Sequence, residues 1–134
     1  MVSIEEHKLI AKVFLKDIEE KVKNDIVVER QKLIGFSASE AACNLFAIFL
    51  HKNNLITPGF NINHRFFASE KLAKSHFPFD FEHKTELLSL LTIQEDFRSK
   101  LCYGKMKEAG VVESTIQNLN KTKKLIESIL EEEL

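Results

Sequence analysis

The sequence predicts an all-α fold: an antiparallel up-and-down bundle of four long helices with a short third helix beside them. Three observations predict it. Only 4 Gly and 2 Pro occur in 134 residues, too few for the many turns of an all-β domain. Apolar residues recur at three-, four- and seven-residue intervals through most of the chain. The breakers that do occur fall between these stretches and cut them into helix-length pieces. The length suits one domain, residues 1–134, with enough chain to bury a core without staples.

The first helix opens on Ser3-Ile4-Glu5-Glu6, a capping-box pattern. Ile4, Ala11, Phe14, Ile18 and Val22 mark its apolar face. The pattern continues through Ile26 and Arg30, with a bend at Asn24-Asp25, and Gly35 is the stop signal. Ser37-Ala38-Ser39-Glu40 reads as a second capping box and starts a second helix through Ala41, Ala42, Leu45, Phe46, Phe49 and Leu50. It is the most apolar stretch and is expected at the centre. Asn53-Asn54 ends it, and Thr57-Pro58-Gly59 is a loop.

A shorter third helix is expected from Asn63 to His76, with Phe66, Phe67, Leu72 and Ala73 inward. Pro78 stops it, and the rings of Phe77, Phe79 and Phe81 are expected to plug one end of the core. With 11 Phe, 1 Tyr and no Trp, aromatic burial rests on rings that need no polar partner. The fourth helix begins between Asp80 and Thr85 and reaches Tyr103-Gly104; Leu87, Leu88, Leu90, Leu91, Phe97 and Leu101 are its core residues. After a loop at Gly110, a fifth helix carries Val112, Ile116, Leu119, Ile126, Ile129 and Leu130. The acidic run Glu131-Glu132-Glu133 is expected to fray, because carboxylates oppose the macrodipole at a helix C-terminus.

The net charge of −1 argues against broad, nonspecific binding to nucleic acid. Cys43 and Cys102 lie in apolar helical patterns without a CxxC, so reduced, buried thiols are expected rather than a disulfide scaffold or a zinc site. No secretory h-region and no stretch apolar enough to span a bilayer is apparent, which suggests the cytoplasm and no membrane partner. The five histidines have no tight ligand spacing, and nothing in the sequence calls for a metal or other cofactor. His64-Arg65, after the Pro58-Gly59 loop, lines either a cleft mouth or the solvated first turn of the third helix.

Arg98 is the anomaly. Seven residues bring a helix almost back to its starting direction, so Arg98 projects nearly where Leu91 does, on the apolar side. A guanidinium cannot shed its charge and is costly to bury alone. It must reach a carboxylate, a solvent pocket, a subunit interface or a phosphate. A boundary arginine with its stem along apolar surface and its head on a carboxylate is the commoner reason for such a position. Lys100, Lys105 and Lys107 follow around Tyr103. They make either a small positive patch or a solvated helix end.

Helix two, Ser39-Glu-Ala-Ala-Cys-Asn-Leu-Phe-Ala-Ile-Phe-Leu50, resembles the central helix of HEPN domains. Asp96-Phe-Arg98-Ser-Lys-Leu-Cys-Tyr103-Gly104, followed by one last amphipathic helix, is similar to that family's signature of an arginine, four to six residues and a histidine. The resemblance covers residues 37 to 130. It implies a homodimeric helical protein that binds RNA or nucleotide, a ribonuclease-like component of a toxin–antitoxin system, often partnered by a minimal nucleotidyltransferase. It assigns the phosphate-holding role to Arg98, with Tyr103 in the histidine's place and Asn44, Lys100 and Lys105 in support. Tyr titrates near about pH 10 and is a poor general base, so the resemblance implies weak or lost metal-independent endoribonuclease activity. Five residues turn a regular helix by about 140°, so Arg98 and Tyr103 share a face only if the helix bends or a dimer joins them. Asn44 is expected either to hydrogen-bond Arg98 or to be satisfied by backbone. The same features also suit a noncatalytic interaction module that pairs with a nucleotidyltransferase and helps it bind substrate.

Overall fold

The computed structural model describes residues 3–134. Among them every regular element is helical: α1 (Ile4–Lys23), α2 (Gln31–Lys52), a 3₁₀ turn (His64–Phe67), α3 (Glu70–His76), α4 (Lys84–Cys102) and α5 (Ala109–Leu130).

α1 begins as expected, with the Glu6 N–H donating to Ser3 Oγ at 3.1 Å. It does not run on to Arg30. Asp25 turns left-handed (φ 53°), and the N–H groups of Ile26 and Asp25 return to the carbonyls of Lys21 and Val22. That pair of bonds is a Schellman stop, and Asp is among the few residues that tolerate the left-handed region. Asn54 (φ 56°) closes α2 the same way, with Leu55 returning to Leu50 and Asn54 to His51.

α2 starts at Gln31, earlier than the second capping-box pattern, so Ser37 and Glu40 are interior residues and not a cap. Buried Gln31 fixes this start. Its Nε2 donates to the carbonyls of Val28 (2.9 Å) and Lys107 (3.0 Å), and its Oε1 accepts from the Lys107 N–H at 2.6 Å. Gly35 is likewise not a stop. A Cβ there would lie 2.8 Å from Leu101 Cβ, so its missing side chain lets α2 and α4 touch.

α2 is the central helix, packed against α1, α4 and α5. Its 22 residues are, by length and composition alone, apolar enough to cross a membrane, contrary to expectation, and 78% of that apolar window is buried within the fold. Ile34, Phe46, Ile48 and Leu50 are among its fully enclosed side chains.

The expected third helix is two elements. Asn63 Oδ1 caps the 3₁₀ turn by accepting from the Arg65 N–H at 2.9 Å, and Ser69 Oγ starts α3 by accepting from Leu72 at 3.0 Å. Leu72 faces outward, at 39% exposure, while Phe67 and Ala73 are buried. Phe77, Phe79 and Phe81 close one end of the core. Phe46 touches Phe49, Phe67, Phe77 and Phe81, with centroid distances from 5.1 to 6.2 Å.

Leu91 on α4 and Val112 and Leu119 on α5 are buried, and a buried polar seam joins the two helices. Asn118 Nδ2 donates to Gln94 Oε1 (2.8 Å) and the Leu90 carbonyl (3.0 Å), and Gln94 Nε2 donates to the Thr115 carbonyl at 3.1 Å. Gly110 lies within the first turn of α5 rather than in a loop. The acidic tail is tied back instead of fraying: Glu132 pairs with Lys52, and the Leu134 N–H donates to Glu127 Oε2 at 2.8 Å.

Candidate functional site

Arg98 sits three-quarters of the way along α4, where the helix passes the first half of α2. Its Nη1 donates to Ser39 Oγ at 3.1 Å and to Glu40 Oε2 at 3.0 Å. The guanidinium lies over the Phe36 ring, 4.9 Å from its centroid, a cation–π arrangement. The Arg98 side chain is 12% exposed and that of Glu40 31%. Nε and Nη2 make no hydrogen bond among the described residues, yet neither is buried without a partner. The fork is therefore held through Nη1, with Nε and Nη2 unbonded and not fully buried.

Of the two partners expected for Asn44, it takes the backbone and makes no hydrogen bond to Arg98. Asn44 Nδ2 donates to the Glu40 carbonyl at 2.8 Å, the backbone satisfaction typical of a helical asparagine, and Oδ1 faces His7 Nδ1 at 2.8 Å. Because Nδ2 is already donating, Oδ1 is the acceptor and His7 Nδ1 carries the hydrogen. Asn44 reaches Arg98 only through Glu40, whose carbonyl it binds and whose carboxylate holds the arginine.

Tyr103 leaves the helix. α4 ends at Cys102, Tyr103 is extended (φ −126°, ψ 150°), and its side chain is 69% exposed. Gly104 follows at φ 80°. No hydrogen bond joins Tyr103 to Arg98. Lys100 pairs with Asp96 at 2.9 Å along α4. Lys105 is exposed and contributes its carbonyl to Lys107 Nζ at 2.6 Å. Of the five residues singled out in the sequence, only Arg98 and Asn44 belong to one connected group.

The structure adds Glu95, His7 and His51, which the sequence did not single out, and gives His64 a partner. Glu95, one turn before Arg98 on α4, accepts from His64 Nδ1 at 2.7 Å; the two side chains are 12% and 24% exposed. His7 stacks on His51, with centroids 5.5 Å apart, and His51 Nε2 is buried without a partner. Burial, then the neighbouring His7 charge, lowers the His51 pKa below its ordinary value. A surface pocket beside Glu40 is lined by His7, Cys43, Asn44, Asn61 and Ile62. In its wall Cys43 is buried. Burial, then the carboxylates of Glu40 and Glu95, keeps its thiol protonated far above the usual range, against the opposing pull of Arg98. Cys102 is only half-buried, contrary to expectation, and its thiol points at the Lys32 carbonyl at 3.4 Å. Burial raises its pKa too.

The signal that could have found Glu40 was its spacing. It stands four residues before Asn44 in an otherwise apolar helix, so both project from one face, and Arg98 needed a carboxylate. The capping-box reading hid it. Among the described residues no three His, Cys, Asp or Glu side chains are grouped to hold a metal ion. Chemically, the region offers a half-satisfied guanidinium held by Glu40, a carboxylate-oriented imidazole at His64, and a pocket lined by Glu40 and Asn44. Compared with known proteins, the chain matches no family model, no curated protein and no solved structure.

Proposed function

We propose that this chain is a HEPN-like helical protein, an antiparallel up-and-down bundle that acts in the cytoplasm as a homodimer and binds RNA or a nucleotide through Arg98. In this reading it is a component of a toxin–antitoxin-like module, and Tyr103 carries no efficient nuclease chemistry. The observation that carries the reading is the state of Arg98. Ser39, Glu40 and Phe36 fix the plane of the guanidinium, while Nε and Nη2 lack hydrogen-bond partners among the described residues. A planar fork with one edge open suits bidentate recognition of a phosphate.

Pairs of contacts support the antiparallel order. Gly35 meets Leu101 while Glu40 meets Arg98. His7 meets Asn44 while Asp17 meets Ser37. Gln94 meets Thr115 while Leu90 meets Asn118. Apolar side chains left exposed near the Arg98–Glu40 pair support self-association: Ile10 at 36%, Phe36 at 39% and Leu33 at 48%.

A second reading, a noncatalytic interaction module or a substrate-binding partner of a minimal nucleotidyltransferase, is favoured by Glu40 itself. Its carboxylate offsets the charge of Arg98 before any phosphate arrives, which suits an ion pair within an interface. Incubation with labelled RNA, wild type beside Arg98→Ala, separates the two. Binding by the wild type that the substitution abolishes supports the first reading. Absence of binding by both proteins removes it and leaves the second.

A further inference from the structure

α1 leans on a single neighbour. α2 packs against α1, α4 and α5, and α4 packs against α5, but among the described residues α1 packs on neither α4 nor α5. A furrow is left between α1 and α5. Its walls are Leu15, Ile18 and Val22 on α1 and Ile116 and Leu119 on α5, with Lys123 at the rim. Leu15 also lines an adjoining depression, which Ala11, Leu45 and Ile48 floor and Lys8 and Lys12 border. The two form one apolar groove that follows α1 from Lys8 to Val22, about 21 Å of helix. Its lysine end already holds a segment of the chain itself. Glu131 turns left-handed (φ 56°), a conformation uncommon outside glycine, and the tail folds back. Glu132 pairs with Lys52, and the Leu134 N–H donates to Glu127 Oε2 at 2.8 Å. Leu134 packs against the core, and Glu133 and Leu134 line the groove beside Lys8 and Lys12. The hydrogen bond from Lys52, then the charges of Lys52 and Lys8, draw the Glu132 carboxyl below its ordinary pKa. What the groove holds is a leucine carried by an acidic stretch.

We propose that the groove between α1 and α5 binds an acidic, leucine-bearing amphipathic helix of another protein, and that residues 131–134 occupy its lysine end until such a helix displaces them. Two observations choose this occupant. The seated tail shows which side chains the groove accepts, and the lysines at that end complement carboxylates: Lys8 reaches only Glu5, at 3.8 Å, and Lys12 reaches no carboxylate, among the described residues. A helix laid between α1 and α5 sets leucines at three- and four-residue spacing against the apolar walls, while its carboxylates meet Lys8, Lys12, Lys52 and Lys123. The tail competes with it, so the affinity seen from outside is lowered by the fraction of molecules whose groove is closed. The groove shares no lining residue with the pocket beside Glu40, and the proposal does not depend on the RNA-binding reading.

The test is a fluorescence-anisotropy titration of the full chain with a labelled helical peptide of about 15 residues, the length that the groove accommodates. The peptide carries leucines at three- and four-residue spacing and glutamates between them; a second peptide has lysines in place of the glutamates. The wild type is expected to bind the glutamate peptide, more weakly as salt rises, and not the lysine peptide. Leu134→Ser frees the groove and is expected to tighten binding by about tenfold. Val22→Asp, at a groove position that is 52% exposed, is expected to abolish binding, while Val13→Asp, 61% exposed and outside the groove, leaves it intact. Lys12→Glu, at an exposed rim position, serves as a second groove variant and is expected to weaken binding severalfold. Equal binding of the two peptides, no binding by Leu134→Ser, an affinity that Leu134→Ser leaves unchanged, or binding that survives both Val22→Asp and Lys12→Glu would each overturn the proposal. So would a wild-type dimer that Val22→Asp splits and the peptide does not, because the groove would then serve a second copy of the chain.

Discussion

At the scale of single residues, the charge of Arg98 is tolerated because three neighbours share it. Glu40 supplies the opposite charge, Ser39 a second acceptor and Phe36 a π face. Removing one partner of a half-buried ion pair leaves the other uncompensated. A double-mutant cycle on Arg98→Ala and Glu40→Ala, measured by urea unfolding, is expected to give a coupling of about 1–2 kcal/mol, discounted for the solvent that still reaches Glu40. A coupling within error of zero would mean that the pair does not hold α4 to α2. His51 makes a pH-dependent contribution of known sign. Its folded pKa lies below the ordinary value of about 6.5 because burial and His7 disfavour the imidazolium. The unfolded chain therefore binds the proton more readily, and the neutral ring's contribution is complete above that pH and lost as pH falls through the folded pKa. Unfolding free energies at mildly acidic and slightly alkaline pH should converge in His51→Gln relative to wild type. An identical pH slope in both proteins would assign the acid sensitivity elsewhere.

Among the helices, the contact between α2 and α4 is set by one absent side chain. Gly35→Ala adds a methyl 2.8 Å from Leu101 Cβ, inside any real Cβ contact, and the obstacle is the base of a side chain that cannot swing aside. Helix propensity favours the alanine by about 1 kcal/mol. Overpacking costs about 1–3 kcal/mol, and here the close approach of two backbones sets it near the upper end. The variant is expected to unfold at lower denaturant than wild type with an unchanged m-value; a gain in stability would show that α4 slides away freely. Arg98 lies three residues before Leu101 on α4 and Ser39 lies four after Gly35 on α2, so the same displacement should loosen the hold of Ser39 and Glu40 on Arg98.

For the molecule as a whole, the decisive element is α2, which gives its apolar surface to three neighbouring helices at once. Much of this was legible in the chain. The central place of α2, the α1 cap at Ser3 and the extent of α4 follow from periodicity and local hydrogen bonding. The pairing of Glu40 with Arg98 was not, because the two stand 58 positions apart and no local pattern joins them. Leu33 at 48%, Phe36 at 39% and Ile10 at 36% exposure remain on the outside beside that pair. Light scattering is expected to give twice the mass of one chain in solution, and Leu33→Asp, a change at an already exposed position, to give a single chain that is still helical. A wild type that is monomeric at every concentration would rule out a composite cleft.

The sequence alone determined that this protein is helical, which helix is central and that Arg98 needs a partner, because periodicity and the cost of burying a charge act on neighbouring residues. Only the tertiary structure decided that Gly35 is a point of contact rather than a stop. It also decided that Asp25 ends α1, that Tyr103 turns away to solvent, and that His64 and Glu95 meet. Those outcomes depend on which helices approach one another and how closely, and close packing between distant segments leaves no periodic mark on the chain.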